Sequence, residues 1–111
     1  MHEMSITRNI VAIVSEHAGA RRVKRVRLEI GKLCAVIPDA VRFCFDLAAQ
    51  GTVLEGARLE ILEIPGRVRC RQCAHEMEID GLMAVCPCGS RHLERLAGEE
   101  LNIKDMELEA A

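Results

Sequence analysis

The chain has 111 residues, of which half are hydrophobic and 29% are charged, and its formal net charge is −2. A chain of this length is expected to fold as one domain with at most a small appendage. The balance of apolar and charged residues excludes a disordered chain. The weak negative charge excludes a general electrostatic attraction to nucleic acids or to anionic membranes.

The first apolar run is interrupted by polar residues, among them Arg8, Asn9 and Glu16. It therefore predicts neither a signal peptide nor a membrane-spanning segment. Of the six cysteines, four cluster late in the chain as CRQC and CPC. Inside cells such clusters bind metals more often than they form disulfides, so we expect a cytoplasmic, metal-binding protein.

The first predicted element is an amphipathic helix from Ser5 to His17. Its apolar residues recur at three- and four-residue steps, at Ile6, Ile10, Ile13 and Val14. This spacing places them on one face of a helix. Ser5 is the candidate N-cap, and Gly19 is the candidate stop.

An alternation of apolar and polar residues predicts the strands. In the first strand, apolar side chains occupy every second position, at Val26, Leu28 and Ile30, and Gly31 ends the pattern. The basic residues between and before them predict a solvated face rather than a phosphate-binding surface, because no aromatic residues are interleaved. A second strand is predicted for residues 57–64. The last strand is predicted after Glu99, in the segment EELNIKDMELEAA.

A second helix is predicted between the first two strands, in the segment PDAVRFCFDLAAQG. Its apolar stripe consists of Ala40, Val41, Cys44, Leu47 and Ala48. Asp39 is placed to cap this helix and Gly51 to stop it. The predicted fold class is therefore α+β, with two helices packed on a three-stranded sheet.

The cysteine-bearing segment is predicted to be an insertion before the last strand. Two residues separate Cys70 from Cys73, twelve separate Cys73 from Cys86, and one separates Cys86 from Cys88. Two close cysteine pairs across a short hairpin supply the four thiolates that tetrahedral zinc prefers. The predicted domains are an α/β body of residues 1–66 plus 97–111 and an inserted zinc-binding domain of residues 67–96.

Two alternatives remain open for these cysteines. They could be buried thiols or a redox pair, although no helical pattern follows CRQC. The spacing in CPC is also shorter than the two intervening residues usual in zinc knuckles, which leaves His75 and His92 as alternative zinc ligands to Cys88.

The opening residues Met1, His2 and Glu3 form a second candidate metal site. The terminal amine, the backbone nitrogen of His2 and its imidazole can bind one cation through fused five- and six-membered chelate rings. Nickel(II) and copper(II) favour such planar nitrogen donors, and Glu3 lies near enough to complete the site.

These features together resemble the HypA/HybF family of hydrogenase maturation proteins. The resemblance rests on MHEMS, RLEIGKL, AVIPDAVRFCFDLAAQGTVLEGARLEI, the two cysteine pairs and GEELNIKDMELE, and it covers essentially the whole chain. One departure is Ile37, which stands where the family commonly has an acidic residue before the proline.

The resemblance implies a nickel metallochaperone rather than an enzyme. It assigns Ni(II) to Met1, His2 and Glu3, and structural Zn(II) to Cys70, Cys73, Cys86 and Cys88. It also implies two partners, the maturation GTPase HypB and the large subunit of a [NiFe] hydrogenase. The alternative function is a zinc-ribbon module that binds a protein or nucleic acid and has no nickel function. A metalloenzyme would need an open zinc position and a general base, which four cysteines do not offer.

Overall fold

The computed structural model describes residues 2–110, and its helices and strands follow the α+β order expected from the sequence. In chain order the elements are α1 (Glu3–Ala18), β1 (Val23–Gly31), α2 (Pro38–Ala49), β2 (Arg58–Ile64), β3 (Gly66–Cys70), β4 (Glu76–Ile79), β5 (Leu93–Ala97) and β6 (Leu101–Leu108). One three-stranded sheet has the order β2-β1-β6, and a second has the order β4-β3-β5. The predicted fold class is confirmed.

The chain divides into two compact units. The first unit consists of the described residues up to Leu28, of Val36–Leu62, and of the residues from Asn102 onward. The second unit consists of Glu29–Ala35 and Glu63–Leu101, and so contains the whole segment 67–96. The assignment of nickel to one part of the chain and zinc to the other stays a prediction.

Both helices contribute buried residues to the first unit. In α1 these are Thr7, Ile10, Val11, Val14 and Ala18, and in α2 they are Val41, Phe45 and Ala49. The stripe predicted for α2 is therefore displaced, because Leu47 is 45% exposed whereas Phe45 is 1% exposed. Helix α2 carries apolar residues on adjacent faces, so periodicity alone does not identify the face that meets the core.

The predicted N-caps of both helices are wrong. Helix α1 begins at Glu3 with His2 as N-cap, so Ser5 lies inside the helix. Helix α2 begins at Pro38 with Ile37 as N-cap, so Asp39 is its second residue. Proline suits the first helical position because its fixed φ is helical and its missing N–H is not needed there.

Two glycines allow the backbone of the second unit to pack closely. A Cβ atom on Gly31 would lie 1.9 Å from the carbonyl oxygen of Gly98. Gly98 has a φ of +112°, a backbone conformation that residues other than glycine rarely adopt. The Gly98 oxygen also accepts a 2.7 Å hydrogen bond from the Leu33 N–H. The loop after β1 is thus fixed to the residue that follows β5.

The basic residues of β1 are paired with carboxylates from the neighbouring strands. Arg25 lies 3.4 Å from both Glu60 in β2 and Glu107 in β6. Arg27 forms a two-pronged ion pair with Asp105, and this hydrogen bond lowers the pKa of the Asp105 carboxyl. The basic residues of β1 are therefore paired with carboxylates within the sheet. Among residues 2–110, neither helix has the length and apolar content that a membrane crossing requires.

The displaced stripe of α2 predicts different roles for its two phenylalanines. Phe45→Ala is expected to lower the free energy of unfolding by about 3–5 kcal/mol, because it removes a buried ring. Phe43→Ala is the matched control on the same helix and is expected to stay within about 0.5 kcal/mol of the wild type, since Phe43 is 68% exposed. Urea unfolding followed by far-ultraviolet circular dichroism measures both. Equal losses would contradict this orientation of α2.

Candidate metal centre

The structure brings the four late cysteines together. The Sγ atoms of Cys70, Cys73, Cys86 and Cys88 all lie within 4.8 Å of one another. The shortest distances join the two pairs, with 3.6 Å between the sulfurs of Cys70 and Cys88 and 3.5 Å between those of Cys73 and Cys86. Each cysteine pair therefore contributes to one compact set of sulfur atoms.

Two similar turns position these sulfurs. In the first turn, Cys70 accepts a hydrogen bond from the Ala74 N–H and donates one to the His75 carbonyl, at 2.9 and 2.8 Å. In the second turn, Cys86 accepts a bond from the Gly89 N–H and donates one to the Ser90 carbonyl, at 2.8 and 2.9 Å. The left-handed residues Ala74 and Gly89, with φ values of +65° and +92°, reverse the chain.

The second turn explains why one intervening residue is enough. The chain reverses immediately after Cys86, so Cys88 is carried back beside Cys70 without a second spacer residue. Spacing along the sequence does not reveal this reversal, although the glycine after Cys88 was a signal for it.

The donor set fits zinc. With a zinc–sulfur bond of about 2.3 Å, the sulfurs of a tetrahedral four-thiolate site are about 3.8 Å apart. The observed separations lie around this value and require only small adjustments. Cys70 and Cys86 are buried, whereas Cys73 and Cys88 are exposed.

The two buried thiols differ in acidity. The backbone N–H of Cys73, assisted by that of Gln72 and by neighbouring thiols, lowers the pKa of Cys70 to about 6. For Cys86, the N–H of Cys88 lowers the pKa, but burial and the hydrogen bonds from the other three sulfurs outweigh it and raise the pKa to about 12. Four thiolates this close repel one another, so a bound cation is needed to ionise the full set.

The two histidines considered as alternative ligands have other roles in the described structure. His75 and His92 are exposed, and neither belongs to the cluster of four sulfurs. Each contributes its backbone carbonyl, since His75 accepts from the Cys70 N–H and His92 accepts from the Arg71 N–H. These bonds hold the first cysteine turn against the neighbouring strands.

At the other candidate site, Met1 lies outside the described residues. His2 is exposed, and its carbonyl accepts a 3.1 Å bond from the Ile6 N–H. Glu3 is half-buried, and its Oε2 accepts a 3.3 Å hydrogen bond from the Ile37 N–H. The Glu3 backbone N–H, the Ile37 N–H and the positive charges of the terminus and His2 lower the pKa of the Glu3 carboxyl, although desolvation opposes them. Sequence reasoning missed the bond to Ile37, which joins residues 34 positions apart.

A small α+β chain whose structure gathers four cysteine sulfurs into one cluster is typical of metal-binding proteins. Its residues 1–108 match a family model described as hydrogenase/urease nickel incorporation, metallochaperone, hypA. The chain belongs to this HypA family, whose members are metallochaperones and not enzymes.

Individual relatives agree with this assignment. The chain is 62% identical over 109 residues to the hydrogenase maturation factor HypA of Nostoc punctiforme. This match covers 98% of this chain and 96% of the relative. It is 48% identical over 110 residues to the HypA of Geobacter metallireducens, covering 98% of this chain and all of the relative. The solution structure of the nickel metallochaperone HypA from Helicobacter pylori aligns over both whole chains with a TM-score of 0.69 and 26% identity.

The sulfur geometry predicts that all four cysteines contribute equally to metal retention. Cys88→Ser is expected to lower the metal content per chain as much as Cys73→Ser, because the two exposed sulfurs occupy equivalent places in the cluster. His92→Ala is the control and is expected to retain the metal. Elemental analysis of the purified variants measures the content. Full retention by Cys88→Ser with loss in His92→Ala would assign the fourth position to the histidine.

Proposed function

We propose that this protein binds Ni(II) at its amino terminus, through Met1, His2 and Glu3, and delivers it during the maturation of a [NiFe] hydrogenase. The family match over residues 1–108, which is to a nickel incorporation family, carries this proposal. The exposed His2 and the fixed Glu3 at the start of α1 support it. The relatives named as hydrogenase maturation factors favour hydrogenase as the recipient.

The proposed nickel site suits a cargo that must be released. Its donors are the terminal amine, the backbone nitrogen and imidazole of His2, and the Glu3 carboxylate, all of which lie within three consecutive residues. Planar nitrogen donors favour nickel, and a site formed by one chain end leaves a side open for the ligands of an acceptor. An acceptor can then displace these donors one at a time.

We also propose that Cys70, Cys73, Cys86 and Cys88 hold a resident Zn(II). A four-thiolate zinc is closed to further ligands and supplies folding free energy instead of catalysis. The second unit has few fully buried side chains of its own, among them Val68 and the two buried cysteines. Zinc would thus substitute for the hydrophobic core that this unit does not have.

The proposed setting follows from these assignments. The protein would receive or transfer nickel together with the maturation GTPase HypB, and the large subunit of the [NiFe] hydrogenase would be the final acceptor. The cytoplasm, where thiols stay reduced, is the proposed compartment because the thiolate site requires them.

Nickel binding is expected to depend on a free terminal amine. A short extension before Met1 would turn the amine into an amide and is expected to abolish high-affinity binding, as is His2→Ala. Glu3→Ala is expected to have a partial effect. Nitrogen donors must be deprotonated to bind a metal, so protons compete with nickel and the affinity is expected to fall as the pH is lowered.

Titration calorimetry with Ni(II) on the native and extended proteins measures this dependence. Zinc content is the control and is expected to be the same in both proteins. Equal nickel affinity and stoichiometry would exclude the terminal site, and a zinc-dependent interaction module without nickel function would then be the better description.

Removal of the zinc is expected to unfold the second unit selectively. After chelation, amides of β3, β4 and β5 are expected to exchange rapidly, while amides of α1 and α2 stay protected, because the helices are stabilised by their own buried residues. Hydrogen exchange resolved by residue measures this. Loss of protection in both helices would show that the first unit also depends on the metal.

A further inference from the structure

The start of α2 has no capping side chain of its own. Its N-cap residue Ile37 makes no side-chain capping hydrogen bond, and Pro38 at the first helical position has no N–H. In a capping box, a Glu or Gln at the third helical position accepts a bond from the N-cap N–H. That position is Ala40 here, so the N–H of Ile37 needs an acceptor from another element.

Glu3 supplies this acceptor from the start of α1. Its Oε2 lies 3.3 Å from the Ile37 nitrogen, and both residues belong to the first unit. The backbone of Glu3 is itself fixed, because the fully buried Thr7 donates its hydroxyl hydrogen bond to the Glu3 carbonyl. The Glu3 backbone is thus held by its own helix, and its carboxylate is held by the start of α2.

Helix α2 has a carboxylate of its own in its first turn, Asp39, but this side chain has a different partner. The Asp39 side chain is 93% exposed and bonds to Arg42 on its own helix at 2.7 Å. The Ile37 side chain offers no ligand atom. Glu3 is therefore the carboxylate that the described contacts fix beside the amino terminus.

We propose that the backbone N–H of Ile37 is a positioning group for nickel binding, which holds the Glu3 carboxylate beside the amino-terminal chelate. This inference rests on the proposed function and adds a residue to it. A carboxylate offers about four lone-pair positions, so the bond to Ile37 leaves Glu3 capacity to bind a cation. Helix α2 receives its missing cap from the same contact, so one carboxylate joins the nickel site to the second helix.

The test removes the donor and leaves Glu3 unchanged. Ile37→Pro deletes the N–H at a residue whose φ of −92° is near the range of proline. Groups that orient a metal ligand typically change affinity about 10–100-fold when lost, so the nickel Kd is expected to rise at least about tenfold. Ile37→Ala keeps the N–H and is expected to stay within about twofold of the wild type. Asp39→Asn is expected to do the same.

A double variant identifies the route of the effect. If Ile37 acts through Glu3, then Glu3→Ala/Ile37→Pro is expected to bind nickel no more weakly than the weaker single variant. Wild-type affinity in Ile37→Pro, or losses that multiply in the double variant, would overturn the inference. Wild-type affinity in His2→Ala would instead overturn the proposed terminal site, so the two failures are distinguishable.

If Ile37→Pro does not fold, amide hydrogen exchange in Glu3→Ala tests the same contact. In Glu3→Ala the Ile37 amide is expected to exchange about tenfold faster than in the wild type, since its acceptor is gone. The Val41 amide, which bonds to the Ile37 carbonyl at 3.1 Å, is the internal control and is expected to change less. Equal exchange at Ile37 in both proteins would show that Glu3 does not hold this N–H.

Discussion

The second unit depends on four sulfur atoms that lie within 4.8 Å of one another. Backbone N–H groups lower the pKa of Cys70, whereas burial and the neighbouring thiols raise the pKa of Cys86 against the opposing Cys88 N–H. Four thiolates this close are stable together only around a cation. The same two turns that place the sulfurs also end β3 and begin the return toward β5. With the proposed Zn(II) bound there, metal binding and chain folding would be one process in this unit, whereas the first unit is organised by apolar faces.

Periodicity was sufficient to predict the elements of the first unit but not their ends or orientation. Strand β1 was predicted correctly because one of its faces is apolar throughout. The position of helix α2 in the chain was predicted correctly, but its buried face was not. Apolar residues lie on two adjacent faces of this helix, and the core contains Phe45 and Ala49 where Cys44 and Leu47 were expected. The strands β3 to β5 went unpredicted because each is four or five residues long and carries charged residues.

The chemistry of the metal centre could be predicted from residue types, but its closure could not. The sequence shows how many residues separate Cys86 from Cys88, whereas the position of the Cys88 sulfur depends on the left-handed Gly89 that follows it. The ion pairs of β1 could not be predicted from the sequence for a related reason. Arg27 pairs with Asp105, which lies 78 positions later in the chain, so the basic residues of β1 meet carboxylates only through strands that the fold brings beside them.

The two proposed metal sites place opposite demands on their ligands. A resident ion is retained best when its donors come from distant turns, because all of them must separate before it can leave, and the cysteine turns meet this condition. A transported ion needs donors that leave in sequence, which three consecutive residues provide. A site made of three consecutive residues has little rigidity of its own. A hydrogen bond from a second helix can orient its carboxylate and still leave the site open to an acceptor. The contact between Glu3 and Ile37 has this character, since it adds order to the terminus and adds no further ligand to the ion.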